Sequence, residues 1–270
     1  MRSGLSVPDN LAAAAQFVAA AAADGATLVV LPENFAFMGR QEVDRLAVAE
    51  AEGQGPLQDF LANTASGLGI TLVGGTIPLK VAGDADRVAA ASLVHGPDGK
   101  RIGRYDKIHL FDVDLPGGGG SYRESAGIRP GSEPTVAETP AGRLGVTVCY
   151  DLRFPELYRA LVAHHAELLV VSAAFTVPTG EAHWHVLLRA RAIENLAPLV
   201  AAAQWGEHEN GRRTYGHSLI VDAWGKVLAQ KAEGEGHVAA DLDGAHQARL
   251  RSEFPALAHR RLGTDGQEKR

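Results

Sequence analysis

The stretch LGVTVCYDLRFPELYRALVAHHAELLVVSAAF, residues 144–175, contains a strand pattern, a helix pattern and a second strand pattern in close succession. An apolar run ends at Cys149, a helical pattern begins at Pro155, and another apolar run of strand length follows it. Parallel strands need a helical crossover of this kind, and strands that are apolar throughout are typical of sheets covered on both faces. The stretch therefore predicts a layered α/β protein.

The same alternation extends outward from this stretch in both directions. Toward the amino end, an alanine-rich helical pattern is followed by the strand-like run TLVVLPE (27–33). We predict that Asp9 caps this first helix and that Gly25 stops it. The segment PLQDFLANTASGLG (56–69) predicts a second helix that ends at its glycine, and strand and helix patterns alternate again after the quoted stretch.

No linker rich in proline, glycine and serine is long enough to divide the chain, so we predict a single domain over residues 1–270. The longest stretch without periodicity is DVDLPGGGGSYRESAGIRPGSEP (112–134), which we predict to be a loop. Loops of roughly 20 residues in compact domains are usually functional or disordered.

Composition excludes several classes of protein. A net charge of −6 offers no basic field for nucleic acid. No apolar run approaches the ~18 residues of a membrane span. The chain has one cysteine, so it holds no internal disulfide and fits a reducing compartment, which predicts a cytoplasmic protein.

Four reactive side chains lie at strand ends or in adjoining loops, namely Glu33, Lys107, Glu124 and Cys149. Ligands of open α/β sheets bind beyond the carboxyl ends of strands. A carboxylate can take the proton of a thiol, and an ammonium can stabilise an oxyanion. Each residue alone also fits a solvated charge or, for Cys149, a small core residue. The residues themselves leave both interpretations open.

Three sequence blocks resemble the signature blocks of the nitrilase, or carbon-nitrogen hydrolase, superfamily. They are LPENF around Glu33, GRYDKIHLFDVDLPG around Lys107 and VCYDLRFPELYR around Cys149, and they occur in the order of the family. Further matching segments extend the resemblance from residue 6 to about residue 262. The resemblance implies a four-layer α-β-β-α sandwich and a hydrolase that needs neither a metal nor an organic cofactor.

The resemblance also implies roles for individual residues. Cys149 would be the nucleophile, Glu33 the general base and Lys107 the residue that stabilises the oxyanion. Glu124 would support the lysine, and the backbone N–H of Tyr150 would complete the oxyanion hole. Together these roles imply hydrolysis of an amide through a thioester.

Within the superfamily, these blocks most resemble the branch of deaminated glutathione amidase and ω-amidase, which act on small anionic amides. Arg153 is then a candidate clamp for a substrate carboxylate, since its planar fork suits bidentate pairing. A structural salt bridge of Arg153 with Asp151 or Glu156 is the alternative. Further candidates for the pocket lining are Tyr122, Phe175 and Thr176.

Other interpretations of the sequence predict different activities. A carbamoyl hydrolase of the same superfamily would share the catalytic residues, and an interaction protein could retain the fold without activity. Two histidine pairs, 164–165 and 183/185, have spacings on a helix that suit a shared zinc ion poorly. We therefore predict no metal site.

The two ends of the chain carry separate expectations. The family pattern opens with a strand before the first helix, and Met1 stands where that strand would end. The resemblance therefore predicts a fold without its first strand and with an exposed sheet edge. The segment 255–270 resembles a tail that reaches a partner subunit, which predicts a homodimer or a higher homo-oligomer.

Overall fold

The computed structural model describes residues 1–115 and 120–262. Its helices are α1 (Val7–Ala23), α2 (Pro56–Leu68), α3 (Pro155–Ala163), α4 (Val177–Asn195) and α5 (Gly244–Glu253). Its strands are β1 (Leu28–Val30), β2 (Thr71–Val73), β3 (Ile77–Val81), β4 (Asp84–His95), β5 (Arg101–Asp106), β6 (Asp112–Asp114), β7 (Ser121–Arg123), β8 (Thr135–Thr139), β9 (Gly142–Val148), β10 (Leu168–Ala173), β11 (Leu199–Ala203), β12 (Trp205–Glu207), β13 (Arg213–Tyr215), β14 (Ser218–Val221) and β15 (Val227–Lys231). Short 3-10 helices cover Glu42–Val48, Glu124–Ala126 and Cys149–Arg153.

Two sheets form the centre of the molecule. The first has the order β1-β2-β4-β3, with β5 paired to β4. The second has six strands in the order β15-β14-β11-β10-β9-β8. Within it β9, β10 and β11 are parallel, and α3 connects β9 to β10 as the quoted stretch predicts.

Helices cover both outer faces, which gives the expected four layers. α1 and α2 bury Val18 and Leu61 in a cluster with Leu72 of the first sheet. α3 and α4 pack on the second sheet through aromatic and aliphatic side chains such as Trp184. Valines of the two sheets meet in one cluster at the centre, and they are Val73, Val94, Val146 and Val170.

Two local predictions were wrong. The N-cap of α1 is Ser6 rather than Asp9, because the Ser6 side chain accepts a hydrogen bond from the Asp9 amide. The segment 112–134 is not one loop: β6 and β7 form an antiparallel hairpin, and a 3-10 turn begins at Glu124. Cross-strand pairing with no apolar periodicity produced this hairpin, so the sequence pattern did not reveal it.

No strand precedes α1 in the described part of the chain, and β1 pairs on one side only, with β2. The other side of β1 borders a groove of about 650 Å³. The segment 237–242, which forms neither a helix nor a strand, also lines this groove. The predicted exposed sheet edge is therefore present, although Leu28, Val29 and Val30 are all apolar.

Among the helices of residues 1–115 and 120–262, none is both long enough and apolar enough to cross a membrane.

Candidate active site

Cys149 occupies the sharp turn where β9 ends and a 3-10 helix begins. Its φ is 48°, in the left-handed region that residues with a side chain rarely adopt. Such a backbone costs of order 1–3 kcal/mol and is typical of functional sites. The turn leaves Cys149 at the carboxyl end of a central strand, 7 % exposed and lining a pocket.

A fully buried carboxylate, that of Asp151, holds this turn in place. Its Oδ2 accepts hydrogen bonds from the Val148 amide at 2.9 Å and the Tyr105 hydroxyl at 2.6 Å. Its Oδ1 accepts from the His109 amide at 3.1 Å and lies 2.7 Å from His109 Nδ1. The carboxylate therefore joins the turn to the segment just after Lys107.

Glu33 lies three residues beyond β1 and is 3 % exposed. Its backbone is fixed from two sides, because Gln204 Nε2 donates to the Glu33 carbonyl at 3.1 Å and the Asn34 amide donates to Thr76 Oγ1 at 2.8 Å. The side chain lines the same pocket as the Cys149 thiol.

Lys107 follows β5 and is only 1 % exposed. Its Nζ donates to Glu33 Oε1 at 2.7 Å and to Glu124 Oε1 and Oε2 at 2.8 and 2.7 Å. The Phe111 amide also donates to Glu124 Oε2 at 2.8 Å. A buried ammonium is therefore held between two carboxylates, which compensate for its desolvation.

Burial and neighbouring charges set the protonation of these groups. Burial would lower the pKa of Lys107, but the carboxylates of Glu124 and Glu33 outweigh burial and raise it. Burial would raise the pKa of Glu124, but Lys107 and Arg45 outweigh burial and hold that pKa below its usual range. Burial, reinforced by the Glu33 charge, raises the pKa of the Cys149 thiol well above its ordinary value. The resting site thus holds a neutral thiol beside an ammonium.

One pocket gathers all nine residues that the sequence analysis selected. Its lining includes Glu33, Lys107, Tyr122, Glu124, Cys149, Tyr150, Arg153, Phe175 and Thr176. These residues come from separate segments of both sheets, and the sheet packing places them around the thiol.

Arg153 was predicted either to bind a substrate carboxylate or to form a structural salt bridge, and its contacts distinguish the two. In the described residues its guanidinium forms no salt bridge, and Asp151 is bonded to other groups instead. Arg153 Nη1 lies 3.1 Å from His183 Nδ1, and its Cζ lies 5.5 Å from the centre of the Phe175 ring. The predicted alternative, a salt bridge with Asp151 or Glu156, is therefore not formed there.

The pocket also contains residues that sequence reasoning missed. They are Glu42, Phe111, Ala174, Thr179 and Arg212. Arg212 lies between β12 and β13, far along the chain from Cys149, and no motif marked it. Of the four histidines considered as zinc ligands, His183 contacts Arg153, and His185 Nε2 lies 2.9 Å from Gln230 Nε2. Across residues 1–115 and 120–262, no three His, Cys, Asp or Glu side chains are grouped as a metal site requires.

This arrangement defines a class of site. A thiol at a strained turn, a carboxylate facing it and a buried ammonium can together attack a carbonyl, move a proton and stabilise an oxyanion. The α-β-β-α scaffold thus carries a pocket with the groups that thiol-dependent acyl transfer would require.

Comparison with known proteins agrees with this class. The carbon-nitrogen hydrolase family model matches residues 2–251. The chain is 43% identical over 260 residues to the deaminated glutathione amidase of Yersinia enterocolitica, and the match covers 96% of this chain and 90% of that protein.

Solved structures show the same fold. The NitFhit protein of C. elegans superposes with a TM-score of 0.89 at 38% identity, covering 97% of this chain and 63% of the worm protein. Saccharomyces cerevisiae Nit3, a member of branch 10 of the nitrilase superfamily, superposes with a TM-score of 0.83 at 32% identity, covering 94% of this chain and 91% of that one. The chain belongs to the carbon-nitrogen hydrolase family. It is thus a hydrolase that acts on amide-type carbon–nitrogen bonds.

Proposed function

We propose that this enzyme hydrolyses deaminated glutathione to 2-oxoglutarate and cysteinylglycine through a thioester on Cys149. The observation that carries the proposal is the contact of one buried ammonium, Lys107, with both Glu33 and Glu124 beside the thiol. The substrate class rests on the relatives named deaminated glutathione amidase.

In the first half-reaction the Cys149 sulfur attacks the amide carbonyl while the thiol proton passes to Glu33. The negative charge that develops on the carbonyl oxygen is stabilised by the Lys107 ammonium and the Tyr150 backbone N–H. The carbon–nitrogen bond then breaks, and Glu33 gives its proton to the leaving amine. The acyl group remains on Cys149 as a thioester.

In the second half-reaction Glu33 removes a proton from water, which attacks the thioester carbonyl. The carbon–sulfur bond breaks, the carboxylic acid leaves, and the sulfur regains its proton from Glu33. Glu124 keeps Lys107 charged and oriented through both steps, since it contacts Nζ with both oxygens.

The anionic substrate is held by Arg153, whose charge has no carboxylate partner in the described residues. Tyr122, Phe175 and Thr176 line the remaining surface of the pocket. The same site would accept 2-oxoglutaramate, the substrate of an ω-amidase, or an N-carbamoyl compound. Release of carbon dioxide marks hydrolysis of a carbamoyl group, and the leaving group distinguishes the two amidase activities.

A substrate panel tests the proposal. Deaminated glutathione, 2-oxoglutaramate, glutamine and N-carbamoyl-β-alanine are compared by mass spectrometry of the products, with Cys149→Ala as the control. We expect the highest kcat/KM on deaminated glutathione, and no turnover by the variant. A higher kcat/KM for 2-oxoglutaramate would instead assign the enzyme an ω-amidase activity. No Cys149-dependent turnover by the folded protein would contradict the proposal and favour a binding role.

The proposed enzyme is a cytoplasmic homodimer that uses no cofactor, and the tail 255–270 contacts the partner subunit. Exposed apolar side chains near this tail support the contact, because Trp224 is 56% and Phe254 53% exposed, with ring centres 5.8 Å apart. Of the tail, residues 263–270 lie outside the described residues. Light scattering of the full chain is expected to give twice the monomer mass, and removal of 255–270 to reduce it.

A further inference from the structure

Arg212 brings a second guanidinium into the pocket of Cys149, from a part of the chain that the sequence analysis did not select. Its Nη2 donates to the Ala174 carbonyl at 2.9 Å, and its Cζ lies 5.5 Å from the centre of the Tyr122 ring. Like Arg153, it forms no salt bridge with a described carboxylate.

The Nε–H of Arg212 is buried and has no hydrogen-bond partner among residues 1–115 and 120–262. A buried donor without an acceptor costs free energy, and native structures leave few of them. A ligand oxygen in the pocket would satisfy this donor, and a carboxylate is the acceptor that a guanidinium binds best.

The position of Arg212 relates it to the reacting sulfur. The residue that accepts its hydrogen bond, Ala174, directly follows β10 and lines the same pocket as Cys149. The contact of Arg153 with His183, by comparison, lies on the exposed side of the pocket. Arg212 is therefore the deeper of the two guanidiniums.

The proposed substrate has two carboxylates, one on each side of the scissile bond. The acyl part ends in a 2-oxo carboxylate, and the leaving dipeptide ends in a second carboxylate. We propose that Arg212 binds the carboxylate of the acyl part, and that Arg153 binds the carboxylate of the leaving group. This assignment rests on the proposed function, and it names a 2-oxo acid as the acyl class.

Two substrates with the same acyl part and different leaving groups test the assignment. Deaminated glutathione releases cysteinylglycine, whereas 2-oxoglutaramate releases ammonia. Arg212→Gln is expected to raise KM at least ~30-fold for both substrates, with a much smaller change in kcat. Arg153→Gln is expected to raise KM for deaminated glutathione only.

Arg213 provides the matched control, because it is the next residue, carries the same charge, is exposed and lies outside the pocket. Arg213→Gln is expected to leave both KM values unchanged. Where Arg212→Gln lowers the Tm, Arg212→Lys is used as well, and its KM is expected to lie between those of the wild type and Arg212→Gln. A KM for 2-oxoglutaramate that is equal in the Arg212 and Arg213 variants would overturn the assignment.

Calorimetry separates failure of this inference from failure of the proposed function. The probe is 2-oxoglutarate, titrated into Cys149→Ala and into the same protein with Arg212→Gln or Arg213→Gln. If the wild type hydrolyses neither substrate, the proposed function is contradicted. The binding of 2-oxoglutarate then still tests whether Arg212 forms a carboxylate subsite. Loss of binding with Arg212→Gln but not with Arg213→Gln supports the subsite, and equal binding in both overturns it.

Discussion

Cys149 combines a strained backbone with a buried, neutral thiol. Its φ of 48° is maintained by the surrounding hydrogen bonds, chiefly those of Asp151 to Val148 and His109. Because a neutral thiol is a weak nucleophile, the proposed mechanism requires its proton to leave as the carbon–sulfur bond forms. In that proposal the Glu33 carboxylate, which lines the same pocket, receives the proton.

The raised pKa of Cys149 predicts how alkylation depends on pH. Iodoacetamide reacts with the thiolate, whose fraction grows about tenfold per pH unit below the pKa. We expect the alkylation rate to keep rising beyond about pH 9 without a plateau. Mass spectrometry measures the rate directly, because Cys149 is the single cysteine.

Glu33→Gln is the informative variant for this profile. Burial contributes most to the raised pKa of Cys149, and the Glu33 charge adds to it while Lys107 opposes it. Removing the Glu33 charge is therefore expected to shift the alkylation profile to lower pH. A plateau below pH 8 in the wild type, or a shift to higher pH in the variant, would contradict this account.

At the scale of elements, two connections position the candidate reacting groups. The turn after β9 is tied by Asp151 to the end of β5, and the segment after β1 is packed against the connection between β2 and β3. The first connection depends on a buried carboxylate, and the second depends on a close approach of two backbone segments. Single substitutions test each of them.

Asp151→Asn removes acceptors from a fully buried cluster. The asparagine keeps one acceptor oxygen and replaces the other by a donor NH2, so it cannot accept both the bonds of Val148 and Tyr105 at one oxygen and the His109 bond at the other. We expect a loss of about 2–3 kcal/mol in the free energy of unfolding, measured by urea denaturation, and a fall in kcat. Unchanged stability together with unchanged kcat would show that the carboxylate does not hold the turn.

Gly75 lies where the chain passes closest to the strand end that carries Glu33. A Cβ on Gly75 would lie 2.1 Å from the Pro32 carbonyl oxygen, and its φ is +50°. Gly75→Ala is expected to cost more than about 2 kcal/mol, because the clash adds to the cost of the left-handed backbone, and to lower kcat by moving Glu33. Urea denaturation and initial rates measure both effects.

Gly83→Ala is the matched control for this prediction. Gly83 also has a positive φ, +75°, but no neighbouring atom of a residue that the structure describes lies within 4 Å of its added Cβ. Gly83→Ala is therefore expected to lower the free energy of unfolding by the backbone cost alone, about 1 kcal/mol, and to leave kcat unchanged. Equal losses in the two alanine variants would rule out the proposed clash with Pro32.

At the scale of the whole molecule, the groove beside β1 leaves part of the sandwich uncovered. β1 is apolar and only half-buried, and its outer edge has no strand partner in the described residues. Open edges of this kind accept additional strands. Met1 lines the groove, so a segment joined to its amino end can reach the edge.

An added strand is expected to stabilise the protein. A segment of five residues that alternates valine and threonine, fused ahead of Met1, is expected to raise the Tm by about 2–4 °C, since a gain of ~1 kcal/mol corresponds to a shift of that size in a chain of this length. A glycine/serine segment of equal length is the control. Calorimetry compares the two fusions, and equal Tm values would show that the groove does not accept a strand.

The layered fold was predictable because its signals are local. Apolar runs on both faces of β9, β10 and β11 mark buried strands, and the glycine at the end of α2 stops that helix. The cap of α1 was not predicted because one hydrogen bond decides it, and the hairpin of β6 and β7 was not predicted because its cross-strand pairing carries no apolar periodicity.

The sequence by itself determined the class of fold, the family and the identities of the candidate reacting residues Glu33, Lys107, Glu124 and Cys149, since periodicity and motifs lie within short segments. Only the tertiary structure decided which groups meet. Arg212 enters the pocket, Arg153 has no carboxylate partner in the described residues, and Asp151 holds the turn. These contacts join residues far apart in the chain, and they depend on how the two sheets pack, which local patterns do not encode.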